Sequence, residues 1–266
     1  MSRDGNLLSS YLRMDFNRSI FSCKFVIGIF GVVGVMFFAI FDDIELNNNI
    51  VYVCTLVLQG VPVLVSYIFC AFTYASCFCE DSENNYFNLE VIRGKLSFYT
   101  CSKVIVIFLT AMITMILGLL IFITILHTFL PWITEENSVS QTLLTTGGFH
   151  RILQNGDFYL YYFLSGIQQG ILAGILALFG SYLSLFIRNK LLIWSVPVIG
   201  YYFFDILLIE IFGEQSIGLV DIFNSVIRLC SDDLISYLFS VGIGICFVVV
   251  FYVLIYTRLK GKIQFE

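Results

Sequence analysis

Charge is what this chain has least of. Asp, Glu, Lys and Arg make up 12% of its 266 residues, against roughly a quarter in soluble globular chains. Such a surface cannot keep a globular domain in solution, so the soluble fold classes are excluded. Histidine is nearly absent: His127 and His150 are the only two, on different segments, and no HExxH, GxSxG or paired-glutamate pattern accompanies them. An intramembrane hydrolase needs a nucleophile with its base, or clustered metal ligands, at one depth, and neither is present. A phosphate-binding loop is missing too, because Gly94-Lys95-Leu96 has neither the preceding glycine nor the following hydroxyl of GxxxxGK[ST]. The longest polar gaps run to about two dozen residues, too few to bury an independent core. There is no internal repeat.

What fills the chain instead is apolar sequence, 59% of all residues. Six runs stand out: Phe25 to Phe41, Ile50 to Cys79, Val104 to Ile133, Phe158 to Ile187, Leu191 to Phe212 and Leu234 to Tyr256. Asp205 and Glu210 are their only formal charges, and all but the first exceed the ~20 residues that cross the hydrocarbon layer as a helix. Twelve of the fourteen Lys and Arg residues lie in alternate gaps between the runs, starting with the N-terminal segment. Basic residues near span ends are retained inside. The expected fold is therefore all-α: a polytopic bundle of six transmembrane helices forming one domain over 1–266, with both termini cytoplasmic. The low sequence pI of about 5.0 carries no message about nucleic acid, since ten of the nineteen acids fall in the outer loops.

Residues 1–24 contain no short apolar core with a cleavage site, so the first run reads as an uncleaved signal anchor. Leu8, Tyr11, Leu12 and Phe16 recur there at helical steps, which predicts a cytoplasmic amphipathic helix along the inner membrane surface. Of the eight cysteines five lie in spans, two in inner segments and only Cys230 outside, so they cannot form an exported disulfide framework. Cys77 and Cys79 make a CxC without companion ligands, which favours apolar packing over metal binding. Gly166, Gly170 and Gly174, four residues apart, stack on one helix face for close packing of a neighbour. Pro62 and Pro197 predict kinks in the second and fifth runs.

The most informative polar segment is 80–103, EDSENNYFNLEVIRGKLSFYTCSK. Acids crowd its start, Asp81 or Ser82 can cap a helix, and Arg93, Gly94 and Lys95 suit its end, which predicts a helix from about Ser82 to Arg93. Tyr86, Phe87, Leu89 and Ile92 give that helix an apolar face that something must cover. A second amphipathic segment, 213–233, carries Leu219, Ile222, Phe223, Val226 and Ile227 at helical spacing on the outer side, whereas Thr134 to Asp157 reads as an irregular outer loop.

Six spans with both ends inside, an amphipathic start, a cytoplasmic helix between spans 2 and 3 and an amphipathic segment before span 6 together resemble the permease subunit of a type-2 ABC exporter. The local likeness is Phe78 to Lys103, where an acidic cluster precedes YFNLEVIRG and SFYTCSK opens the third span. This stretch is similar to the coupling segment of small Gram-positive permeases that export antibiotics and antimicrobial or toxin peptides. The resemblance implies a bacterial plasma-membrane location and a second permease copy or paralogue. It further implies separate ATPase subunits that bind ATP and Mg, so this chain has no cofactor and no catalytic role. ATPase coupling would fall to Tyr86, Phe87, Leu89, Glu90, Ile92, Arg93 and Gly94, and the cargo would be an amphipathic peptide or lipophilic compound.

A charge near the bilayer centre costs at least ~2.5 kcal/mol, so polar groups inside the spans need a reason. Asp205 lies seven residues from the outer end of its run, His127 six, Gln59 nine, and Gln168 and Gln169 ten and eleven. At 1.5 Å per residue these depths are ~9 to 17 Å. One layer of polar groups at that level fits a water-accessible vestibule on a translocation path, interhelical hydrogen bonds that fasten the bundle, or a proton-coupled carrier centred on Asp205.

Overall fold

The computed structural model describes residues 2–40, 49–84, 95–134, 138–187, 189–212, 222–226 and 232–265. Within these the chain is helical throughout, with no strand, in eleven helices. They are α1 (Ser2–Ile20), α2 (Cys23–Ile40), α3 (Ile50–Gln59), α4 (Val61–Phe72), α5 (Cys77–Glu83), α6 (Leu96–Leu126), α7 (Ser138–Thr146), α8 (His150–Gln154), α9 (Phe158–Leu183), α10 (Lys190–Phe212) and α11 (Asp233–Phe265). Five stretches are long and apolar enough to cross a membrane: α2, α4 with α5, α6, α9 and most of α11. In α10 the stretch Lys190–Phe204 is apolar but shorter.

The bundle is built around α6 and α9, which share its most extensive contact. Their fit follows from the glycine stripe. A β-carbon on Gly170 would lie 2.8 Å from Met112 Cγ and 3.0 Å from its carbonyl oxygen, and one on Gly174 2.5 Å from the Phe108 ring. Gly166 faces Ile116, one turn further along. Three glycines at four-residue spacing thus admit Phe108, Met112 and Ile116, themselves four apart, and the backbones close up as small-residue faces allow in lipid. Around this pair, α2 packs on α4 and α6, α10 on α4 and α9, and α11 on α6 and α9.

The second apolar run is not one long tilted helix. Gly60 is extended (φ −93°, ψ −175°), ending α3, and Pro62 starts the first turn of α4, where its missing N–H breaks no bond. A second turn at 73–76 separates α4 from α5. The start of α3 is held from outside. Ile50 N–H donates to Pro131 O (3.0 Å), and the fully buried Asn49 caps Tyr52 N–H with Oδ1 (2.8 Å) while its amide donates to Thr134 Oγ1 (2.9 Å).

The gap after α6, expected as an irregular outer loop, contains α7 and α8 instead. Val139 and Leu143, four apart, turn one face of α7 to the core, Leu153 anchors α8, and Gln154 Nε2 donates to Leu144 O (2.6 Å). The Ser and Thr residues of this stretch concealed that spacing. Of the outer amphipathic segment only 222–226 and the residues from 232 are described; there Phe223, Asn224 and Ser225 are buried, and Ser225 Oγ donates to Ser165 Oγ of α9 (2.8 Å).

Candidate functional site

The N-terminal helix α1 forms over the predicted amphipathic segment, but its innermost line is Tyr11, Asp15 and Ser19, at four-residue steps, pressed on α6. That line carries a carboxylate into the protein. Asp15 is 0% exposed, and it meets Lys103 of α6, 1% exposed, and Asp81 of α5, 2% exposed. Burying an ion is tolerable only where partners replace its water. Here they do so completely for the ammonium. Lys103 Nζ reaches Asp15 Oδ1 at 2.8 Å, Asp81 Oδ2 at 3.0 Å and the Tyr74 hydroxyl at 3.0 Å, which uses its three hydrogens. The rings of Tyr74 and Tyr99 stand 5.3 and 5.6 Å from the same nitrogen.

Each carboxylate oxygen is met as well. Asp15 Oδ2 accepts from Ser102 Oγ (2.6 Å) and Oδ1 from Tyr74 OH (3.0 Å); Asp81 Oδ2 accepts from Tyr99 OH (2.8 Å) and Oδ1 from the Arg18 guanidinium. Arg18 is half-buried, which lowers its pKa, yet the Asp81 hydrogen bond and charge outweigh this and hold it above its ordinary value. Outside this knot, Glu80 pairs with Lys24 at the start of α2, accepts from Ser76 Oγ (2.8 Å) and lies 3.6 Å from Arg18. Glu83 pairs with Lys190 at the start of α10 (2.7 Å).

These contacts revise the reading of residues 80–83. The acids are not the opening cap of a new helix: they end α5, whose last turn Asn84 closes by donating from its N–H and its amide to Glu80 O (3.1 and 2.9 Å). They serve as counter-ions that tie α5 to α1, α2, α6 and α10. The segment 85–94, with the coupling candidates Tyr86, Phe87, Leu89, Glu90, Ile92, Arg93 and Gly94, lies outside the described residues. Its two roots, α5 and the start of α6, are the elements the ionic network holds.

Of the candidate path residues, Gln59, His127, Gln168 and Gln169 have described side chains. Gln168 and Gln169 are buried on α9. Gln169 Oε1 accepts from Tyr67 OH of α4 (2.5 Å), and Gln168 Nε2 donates to Ser240 Oγ of α11 (3.4 Å), so both fasten helices. Their remaining amide atoms, Gln168 Oε1 and Gln169 Nε2, have no partner among the described residues. Gln59 is exposed at the break between α3 and α4. His127 is exposed at the end of α6, its ring stacked 4.4 Å from that of Trp132. Asp205 lies on α10, but its side chain is outside the described residues. Among the described residues no three metal-ligating side chains converge; Cys77 and Cys79 are buried, and the Cys79 thiol donates to Glu83 Oε1 (3.6 Å).

Neither known protein families, nor curated proteins, nor solved structures yield a match to this chain.

Proposed function

We propose that this chain is the membrane-spanning subunit of an ATP-driven exporter of the type-2 ABC kind. In this reading a separate ATPase docks on residues 85–94, and an amphipathic peptide or lipophilic compound is moved outward from the cytoplasm or inner leaflet. The observation that carries it is the buried network Asp15–Lys103–Asp81. A segment that receives force from another protein must be mounted on something stiff: ion pairs tie α5 to α1, α2 and α10, and Lys103 ties the first turns of α6 to α1 and α5. A solvated connector between two spans has no need of three buried charges at its base.

The rest of the reading follows from topology. With α10 taken as a span, α2, α3 to α5, α6, α9, α10 and α11 make six crossings. The end of the bundle that holds α1, α5 and the end of α11 is the one rich in Lys and Arg, hence the cytoplasmic side. The working unit pairs two such chains, or this chain and a paralogue, with two ATPases in the bacterial plasma membrane.

Leu89→Arg tests the docking assignment. The substitution puts a charge into the apolar face of the segment and should abolish co-purification of the ATPase and export together, with membrane insertion unchanged. Unaltered co-purification and export in this variant would refute docking at 85–94.

A further inference from the structure

At the end of the bundle that holds the ionic network, a cleft of about 680 Å³ opens between α5 and α6 on one wall and the ends of α9 and α11 on the other. Its size is that of a small-molecule site. Phe78, Leu185, Phe186 and Leu259 supply an apolar lining, and Arg258 and Lys262 stand at its edge. The charges of the two walls are not equivalent. Asp81 and Glu83 on the first wall are already matched, by Lys103 with Arg18 and by Lys190. Among the described residues Arg258 and Lys262 have no carboxylate partner; the Arg258 guanidinium lies 4.6 Å above the Phe186 ring, which orients it without neutralising it. Among the described residues, then, the cleft holds two positive charges without a counter-ion over an apolar floor.

Spacing makes the two cations one site. Residues four apart on a helix have β-carbons ~5–6 Å from each other on the same face, so both side chains can converge on a single tetrahedral anion. The depth is also set. One turn before Arg258, the rings of Tyr252 and Tyr256 stack 6.0 Å apart, and paired aromatics followed by basic residues mark the level of the lipid headgroups. We propose that this cleft binds the phosphate headgroup of an anionic inner-leaflet lipid, its phosphate between Arg258 and Lys262 and its first acyl carbons on Phe186, Leu185 and Leu259. Charge complementarity favours this occupant, and the surrounding leaflet supplies it at high local concentration.

Native mass spectrometry of the detergent-purified full chain, titrated with phosphatidylglycerol, tests the assignment. The wild-type chain should retain one lipid at a concentration at least tenfold below that needed by Arg258→Gln/Lys262→Gln, and Arg258→Lys should recover part of the loss. Lys260→Gln removes a charge from the same helical turn but not from the cleft, and should bind like wild type. Phosphatidylcholine, with phosphate but no net charge, should bind weakly to every form. Equal retention of phosphatidylglycerol by wild type and the double variant, with both giving the same lipid-free melting curve, would overturn the proposal. So would full displacement of the lipid by millimolar inorganic phosphate, which would mark a site for the free anion. If the double variant does not fold, the comparison rests on Arg258→Gln alone, and wild-type retention in that variant counts against the site.

Discussion

Replacing Lys103 with methionine keeps an unbranched side chain, one heavy atom shorter, and removes its charge. What remains is two carboxylates with almost no exposure: Asp15 left with the hydroxyls of Ser102 and Tyr74, Asp81 with Tyr99 and the half-exposed Arg18. Removing one partner of a buried ion pair costs ~3–5 kcal/mol, chiefly because the other charge stays behind without compensation. Here one ammonium compensates two carboxylates, so Lys103→Met belongs at the upper end of that range, a factor of roughly several thousand in the folding equilibrium at 1.36 kcal/mol per decade. The assay is equilibrium unfolding in mixed micelles, followed by helical signal and by protease cleavage within α1. Loss of the network should free α1 first, since Asp15 is the buried charge by which that helix is held. Adding Asp15→Asn and Asp81→Asn to Lys103→Met removes the stranded charges and should recover more than half of the loss, a coupling that a cycle of single and combined variants measures directly. By contrast, Lys24→Met breaks a pair whose lysine is 38% exposed, and should cost under ~1 kcal/mol. A Lys103→Met protein within ~1 kcal/mol of wild type, or one made worse by the added Asn substitutions, would show that the charges are not mutually compensating, and the argument for a rigid mount would fail.

Other outcomes follow from the same structure. Gly170→Leu should prevent assembly of the α6–α9 pair, since even its β-carbon meets Met112 backbone and side chain within 3.2 Å, whereas Gly34→Ala, with nothing within 4 Å, should change stability by less than ~0.5 kcal/mol; thermal melting in detergent separates the two. In a cysteine-depleted background, single cysteines at Ser138 and Thr146 should react with an impermeant reagent in intact cells while those at Ser97 and Lys260 should not, and the reverse pattern would invert the topology. Asp205→Asn should lower transport of cationic cargo more than of neutral cargo with assembly retained; wild-type transport in that variant, beside a loss of folded protein in Asp205→Leu, would assign Asp205 to helix fastening instead of the path.

Hydropathy made most of the architecture legible, because an apolar run of 20 or more residues has few alternatives to a spanning helix. The glycine stripe of α9 likewise announced a close neighbour, though not that it would be α6. The second run was legible in part: Pro62 marked a break, which falls at the extended Gly60, whereas the turn at 73–76 has no such marker and the anchoring of α3 by the 131–134 stretch comes from far along the chain. The ionic network was hidden for a related reason. Asp15 sits among Arg13, Asn17 and Arg18, so the polar residues of α1 look like one solvated face, and Lys103 counts only as a basic residue at a span end. One signal was available: Asp15 is in register with Tyr11 and Ser19, four residues either way, on the side that also carries Leu8, Leu12 and Phe16. A carboxylate on the apolar side of an amphipathic helix needs a cation, and the segment that opens the third span ends in one.

The central claim is that the chain works with an ATPase supplied by another protein, and purification of the full chain from its native membrane under mild detergent tests it most directly. The account predicts that an ATPase co-purifies and that the complex, in proteoliposomes, hydrolyses ATP and moves an amphipathic cargo only when ATP is present on the face that carries α1. Proton-coupled transport by the chain alone in liposomes, with no ATPase bound, would contradict it.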